Sequence, residues 1–171
     1  SWLFCFRPTS WSADKNPLCV LPRDSGVPGD FNDDISAWDT SSVTSMHRMF
    51  DGSSFNQPIG GWSVDKVTSM NGMFRVNTVF NRPIGNWNVG AVKNMDWMFN
   101  WARSFNQDLS DWSLGSVTRI HSMFKNALAF DQDLGWCVDE DVSLDYAFSN
   151  TPCAWMSCGV YKKEEGTCPP T

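Results

Sequence analysis

His47 and His121 are the only histidines of the chain, and they hold equivalent places, after Met46 and Ile120. Imidazole is the side chain of choice for proton transfer near neutral pH and for binding zinc. Three units of a repeat separate the pair, however, and at ~4.8 Å per stacked unit the rings lie about 14 Å apart. They cannot share a metal ion or relay a proton over that distance, so both are read as surface residues. Serine is abundant, yet no Gly-x-Ser-x-Gly string is present to build a nucleophile elbow. The acidic set Asp131, Asp133, Asp139, Glu140, Asp141 and Asp145 lacks the order and terminal glutamate of a calcium loop and reads as a solvated rim. Met46, Met49, Met70, Met73, Met95, Met98 and Met123 alternate with Val and Phe, which marks packing rather than copper ligation. No catalytic, cofactor-binding or metal-binding residues are expected, and the chain is read as not an enzyme.

The six cysteines carry different chemistry. Cys5 and Cys19 precede the repeats, whereas Cys137, Cys153, Cys158 and Cys168 lie in or after the last of them. No Cys-x-x-Cys and no nearby His accompany them, so zinc is disfavoured and disulfides are expected at the two ends. Cys5 with Cys19 is the N-terminal bridge. The last four allow three pairings, of which the local one, Cys137 with Cys153 and Cys158 with Cys168, is preferred. Disulfides imply an oxidising setting: extracellular, cell surface or a lumen. Ser1 to Phe6 is too short and lacks the basic start of a signal peptide, so the chain reads as processed or truncated.

The framework that positions all these residues is a tandem repeat. Phe31-Asn32, Phe55-Asn56, Phe80-Asn81, Phe105-Asn106 and Phe130-Asp131 each open a unit. An aliphatic follows (Ile35, Ile59, Ile84, Leu109, Leu134), then Trp38, Trp62, Trp87, Trp112 or Trp136, then a run closing at Phe50, Phe74, Phe99, Phe124 or Phe148. A unit this small cannot bury its own apolar face, so neighbours must stack. The expected fold is an α/β solenoid, a right-handed leucine-rich-repeat-like coil. Residues 1–30 form an N-terminal cap, 31–150 an array of about five 24–25-residue units, and 151–171 a Cys-rich C-terminal cap.

Within a unit, alternation of Trp87 and Val89 about Asn88 predicts a short parallel strand. The spacing Val92, Met95, Met98, Phe99 predicts a helical or 3₁₀ run on the opposite side. The Asn32, Asn56, Asn81, Asn106 and Asp131 column predicts a buried hydrogen-bond ladder. The fifth unit is shortened at Gly135-Trp136, as a capping unit would be.

The string from Phe105 to Phe124, with Phe105-Asn106, Leu109, Trp112, Val117-Thr118 and Met123-Phe124, resembles the BspA-like degenerate leucine-rich-repeat family of surface proteins. The resemblance covers residues 31–150. It implies a secreted or surface-exposed solenoid used for adhesion or protein binding, without shared catalytic residues.

With 13 basic and 19 acidic residues and pI near 4.7, the chain has no surface for tracking phosphates, and nucleic acid is not an expected partner. No apolar run is long enough to span a bilayer. An array offers long surfaces, which points to a protein, or an extended glycan or peptide. The outward positions Asp39, Ser63, Asn88 and Ser113 form a polar file on the strand side and are the expected binding residues. The small column Ser36, Gly60, Gly85, Ser110 and Gly135 lies beside it, read as close backbone approach or else as an open strip. The aromatic caps (Trp2, Phe4, Phe6, Trp11, Trp155, Tyr161) favour a second reading, an accessory subunit of a larger, even membrane-bound, complex. The register of Thr44, Thr68 and Thr118 allows a third, an ice- or surface-binding protein, although Lys93 interrupts it.

Overall fold

The computed structural model describes Val27 and residues 29–168. Each repeat makes one coil, and successive coils lie on one another in register. Parallel bridges join Ser45 to Ser69, Ser69 to Asn94, Asn94 to Arg119 and Arg119 to Ser143. After each bridge, every second amide donates to the next coil: Met46 to Ser69 O (2.9 Å), Arg48 to Asn71 O (2.9 Å), Phe50 to Met73 O (2.8 Å) and Gly52 to Arg75 O (2.7 Å). The amides between them close turns inside their own coil, as Met49 does on Met46 O (3.3 Å) and Asp51 on Arg48 O (3.2 Å). The same double alternation recurs from Met70 and from Met95.

This pattern replaces the helical run expected over Val92–Phe99. A helix needs right-handed dihedrals throughout. Here a left-handed residue enters every fourth position, at Arg48, Gly72, Trp97, Ser122 and Tyr146 (φ 52 to 61°) and again at Gly52, Val76, Trp101, Asn126 and Asn150 (φ 57 to 67°). Met95, Met98 and Phe99 still face inward and are fully buried, which is why their spacing mimics a helix face. The expected strand is corrected too. Trp87 and Val89 are buried and Asn88 exposed, as alternation requires. The Trp87 amide nevertheless turns back to Ile84 O (3.1 Å) and the Val92 amide to Val89 O (2.9 Å), so the inter-coil ladder lies on the Thr-x-Met side instead.

Left-handed backbone costs an L-residue roughly 1–2 kcal/mol, most sharply when the side chain is β-branched. Val76 bears that cost while 44% exposed, so its packing offsets little of it. Asn126 and Asn150 show what the column tolerates. Val76→Asn should therefore raise unfolding stability by about 1 kcal/mol, read as an increased urea midpoint at unchanged slope.

Aromatic columns fill the core. Phe50, Phe74, Phe99, Phe124 and Phe148 stack at 5.3 to 5.6 Å between centroids. Phe31, Phe55, Phe80, Phe105 and Phe130 stack at 5.9 to 6.2 Å. The two columns interleave, with Phe74 against Phe80 and Phe99 against Phe105 at 3.9 Å. Four tryptophans of one column also satisfy their donor on the preceding coil: Trp62 Nε1 to Ile35 O (3.2 Å), Trp87 to Ile59 O (3.2 Å), Trp112 to Ile84 O (3.1 Å) and Trp136 to Leu109 O (3.0 Å). Burial of the indoles is therefore paired with removal of a buried polar orphan.

The asparagine ladder forms, but along an exposed or half-buried edge rather than in the interior. Each side-chain oxygen accepts the amide of its counterpart one coil on: Asn32 from Asn56 (2.8 Å), Asn56 from Asn81 (3.1 Å), Asn81 from Asn106 (2.9 Å) and Asn106 from Asp131 (3.0 Å). Only acceptor capacity is used along the column, so Asp131 fits its end.

Stacking runs past both expected limits of the array. Val27 donates to Met49 O (3.0 Å), taking the place that Phe50 holds against Met73 O. At the other end, the strands β1 (Cys137–Val138) and β2 (Tyr161–Lys162) pair in parallel, flanking a 3₁₀ helix, Pro152–Gly159. Cys158, Gly159 and Val160 thereby repeat the positions of Leu134, Gly135 and Trp136, with Leu134 N–H bonded to Cys158 O (2.9 Å). Gly159 adopts φ 72°, where an L-residue is strained, and a Cβ there would stand 3.1 Å from the Gly135 nitrogen, so glycine suits this partial sixth coil.

The four C-terminal cysteines pair among themselves, but not in the local arrangement. The bridges are Cys137–Cys168 and Cys153–Cys158. The chain reverses after β2 through the Glu164–Thr167 bridge, which returns Cys168 to Cys137. The expected Cys5–Cys19 bridge and Trp2, Phe4, Phe6 and Trp11 lie outside the described residues, as does the side chain of Trp155.

Candidate functional site

The polar file occupies the outer side of the segment that follows each aliphatic column. Asp39, Asn88 and Ser113 are exposed and Ser63 is half-buried. They do not form a free row of hydrogen-bonding groups. Asp39 accepts the Ser41 amide (3.0 Å) and Asn88 Oδ1 that of Gly90 (3.2 Å), so each caps its own turn. Asp65 ties two coils together, accepting Ser63 Oγ at one carboxylate oxygen (2.6 Å) and Asn88 Nδ2 at the other (2.7 Å). Asp65 was not among the expected site residues, although its place two positions after Ser63 is the usual spacing of a turn-capping pair.

These bonds hold the Asp65 carboxyl below its ordinary range, first through Ser63 and then through Asn88. Asp34 and Asp108 are lowered as well, first by the amides of Ser36 and Ser110. A group whose pKa is lower folded than unfolded stabilises the fold above its unfolded value, and that gain fades as pH falls through the folded one. The melting temperature should drop as pH is taken below ~4, and Asp65→Asn should flatten part of the drop in a pH series of thermal melts. The change is small, because all three groups face solvent.

The small column beside the file marks close backbone approach in its central coils. A Cβ on Gly60 would stand 2.9 Å from Pro83 O, and one on Gly85 would stand 2.6 Å from Asp108 O. The strip is filled by the neighbouring coil rather than open at these two positions.

The histidines are half-buried in the column His47, Asn71, Asp96, His121, Asp145. Asp96, at its centre, is fully buried. Its Oδ1 accepts the His121 amide (2.9 Å), while Oδ2 lies 2.6 Å from Arg119 Nη2, an ion pair not aligned as a hydrogen bond. The arrangement fixes the coil of His121 upon that of Asp96. The threonine hydroxyls are likewise engaged, Thr68 with Thr44 O (3.2 Å) and Thr118 with Lys93 O (3.1 Å). In the acidic rim, Asp139 pairs with Lys163. Among the described residues, no group of three or more His, Cys, Asp or Glu is placed to hold a metal ion.

The stretch from residue 26 to residue 137 matches the family described as "Mycoplasma protein of unknown function, DUF285". The chain belongs to the DUF285 family. Searches of curated proteins and of solved structures returned no match. The DUF285 match contains the whole polar file and the asparagine ladder, and it begins one residue before Val27, the first described residue, which already bonds to the next coil. It ends at Cys137, the first residue of β1, so the disulfide-bonded partial coil follows the DUF285 segment. No helix among the described residues is long and apolar enough to cross a membrane.

Proposed function

We propose that this DUF285 chain is a non-catalytic recognition module: a right-handed solenoid of the BspA-like surface type that works outside the cell, on its surface or in an oxidising lumen. It binds an extended protein, peptide or glycan along the polar file. The observation that carries the reading is the Asp65 bridge, whose carboxylate accepts Ser63 Oγ (2.6 Å) and Asn88 Nδ2 (2.7 Å) and so fixes two members of the file on adjacent coils. One coil contributes one residue per column, so a surface built this way is a line of similar side chains, suited to a partner that is itself extended. The two C-terminal disulfides favour the oxidising setting.

The test is mild crosslinking of the native protein in cells that make it, followed by identification of the captured species. Capture should fall at least about tenfold for Ser63→Lys/Asn88→Lys, which places two long cations on the polar file in place of the Asp65 bridge. Equal capture by that variant, with its melting temperature unchanged, refutes the polar file as the binding surface.

A further inference from the structure

A second surface lies on the left-handed turns. Four of the ten residues in those two columns suit their backbone: Gly52, Gly72, Asn126 and Asn150 tolerate positive φ. Among the other six, Arg48, Val76 and Ser122 included, the large aromatics are Trp97, Trp101 and Tyr146, at φ of 56, 61 and 56°. Burial does not offset that cost, since Trp101 is 40% and Tyr146 is 62% exposed. Large aromatics held in an unfavourable backbone, where glycine or asparagine would serve the fold better, are the kind of outlier that points to a function.

The rings form one group across three coils. His121 stands edge-on between Trp97 (5.8 Å) and Tyr146 (5.9 Å). Lys125 Nζ lies 5.0 Å from the Tyr146 ring centre, and the Arg103 guanidinium 4.9 Å from that of Trp101. The Trp101 amide donates to Lys125 O (2.9 Å), joining the two halves.

Charge identifies the occupant. Arg48 and Arg75 share Asp51, and Arg119 meets Asp96. Arg103 and Lys125 form no ion pair among the described residues, in a chain whose net charge is −6. Two cations without a carboxylate, set among exposed Trp and Tyr, have the composition of a protein-binding hot spot for an acidic partner. A regular polyanion such as nucleic acid would need cations recurring along a column. The Lys125 column instead reads Asp51, Arg75, Asn100, Lys125, Ser149, and Arg75 is already engaged by Asp51.

We propose that Trp97, Trp101, Arg103, His121, Lys125 and Tyr146 form a docking surface for an acidic protein segment, whose carboxylates meet Arg103 and Lys125 while an apolar side chain lies against the rings. This deepens the recognition-module reading and rests on it, but uses a different face from the polar file.

The experiment selects displayed random dodecapeptides on the immobilised full-length chain with its disulfides intact. Enriched sequences should carry at least two Asp or Glu around an aromatic or aliphatic residue. A synthetic peptide of that sequence should bind about tenfold or more weakly to Trp101→Asn/Tyr146→Asn and to Arg103→Glu/Lys125→Glu, and less tightly as salt rises. Asparagine suits the left-handed turns, so the first variant should melt no lower than wild type, and loss of binding cannot then be ascribed to unfolding. Ser63→Lys/Asn88→Lys should bind the peptide unchanged. Enrichment of peptides without acids, no enrichment at all, or equal binding by the aromatic and charge variants overturns the proposal, as does a sulfated oligosaccharide binding here where no peptide does. Peptides that bind only through Ser63 and Asn88 overturn it while leaving the module reading intact, whereas failure to capture any macromolecule in the crosslinking experiment removes both.

Discussion

Phe99→Ala should lower unfolding stability by ~3–5 kcal/mol, the loss expected when a fully buried phenylalanine is cut back to alanine. Phe99 sits at the crossing of the two aromatic columns, 5.5 Å from Phe74, 5.3 Å from Phe124 and 3.9 Å from Phe105, and no part of it is exposed. Its removal leaves a cavity that its neighbours cannot fill. Each is held in its own coil by an amide bonded to the next one, as Phe74 is to Met98 O (2.8 Å) and Phe124 to Ala147 O (2.7 Å). Urea unfolding followed by tryptophan fluorescence reads the change. A loss below about 1 kcal/mol would mean that the columns pack far more loosely than their geometry implies.

Removal of the Cys137–Cys168 bridge by Cys137→Ser/Cys168→Ser should cost ~3–4 kcal/mol, on the chain-entropy estimate for a closed loop of this size. The two cysteines are 31 residues apart. Coupling in stacked repeats passes only between neighbours, so the loss should stay local. The pairing of β1 with β2 and the Leu134 to Cys158 bond should open first, while the coils between Met46 and Phe124 persist. Uniform loss of amide protection along the chain would contradict that picture.

The sequence made the columns legible because identical side chains in register have a single physical explanation, which is stacking. Ile59, Ile84, Trp62, Trp87, Phe74 and Phe99 are buried where their period placed them. The path between columns was harder to read. Met95, Met98 and Phe99 face inward in the turns as they would on a helix, and only the backbone sign at Trp97 and Trp101 separates the two conformations. Glycine would have signalled it, but just two of the ten positions in those columns, Gly52 and Gly72, are glycine. The asparagine column was read correctly as a ladder but misplaced in depth, because hydrogen bonding between coils does not reveal which side of a turn faces water. The C-terminal pairing was missed because Cys158 replaces the aliphatic residue of a partial sixth coil, and sequence proximity to Cys168 gave no sign of it. The candidate site was partly legible. Asp39, Ser63, Asn88 and Ser113 share one outer file, but its organising carboxylate, Asp65, and the aromatic surface around Trp101 depended on bonds and dihedrals that no column discloses.

Residue-resolved hydrogen exchange on the native, disulfide-bonded chain tests the stacking most directly. Amides bonded to the next coil at Met46, Arg48, Phe50, Met70, Gly72, Phe74, Met95, Trp97 and Phe99 should be protected, with the pattern repeating every 24 or 25 residues. Amides with no hydrogen bond between these stretches should exchange freely. Rapid exchange at these inter-coil amides, or protection lacking the repeat period, would show that the coils do not stack in this register.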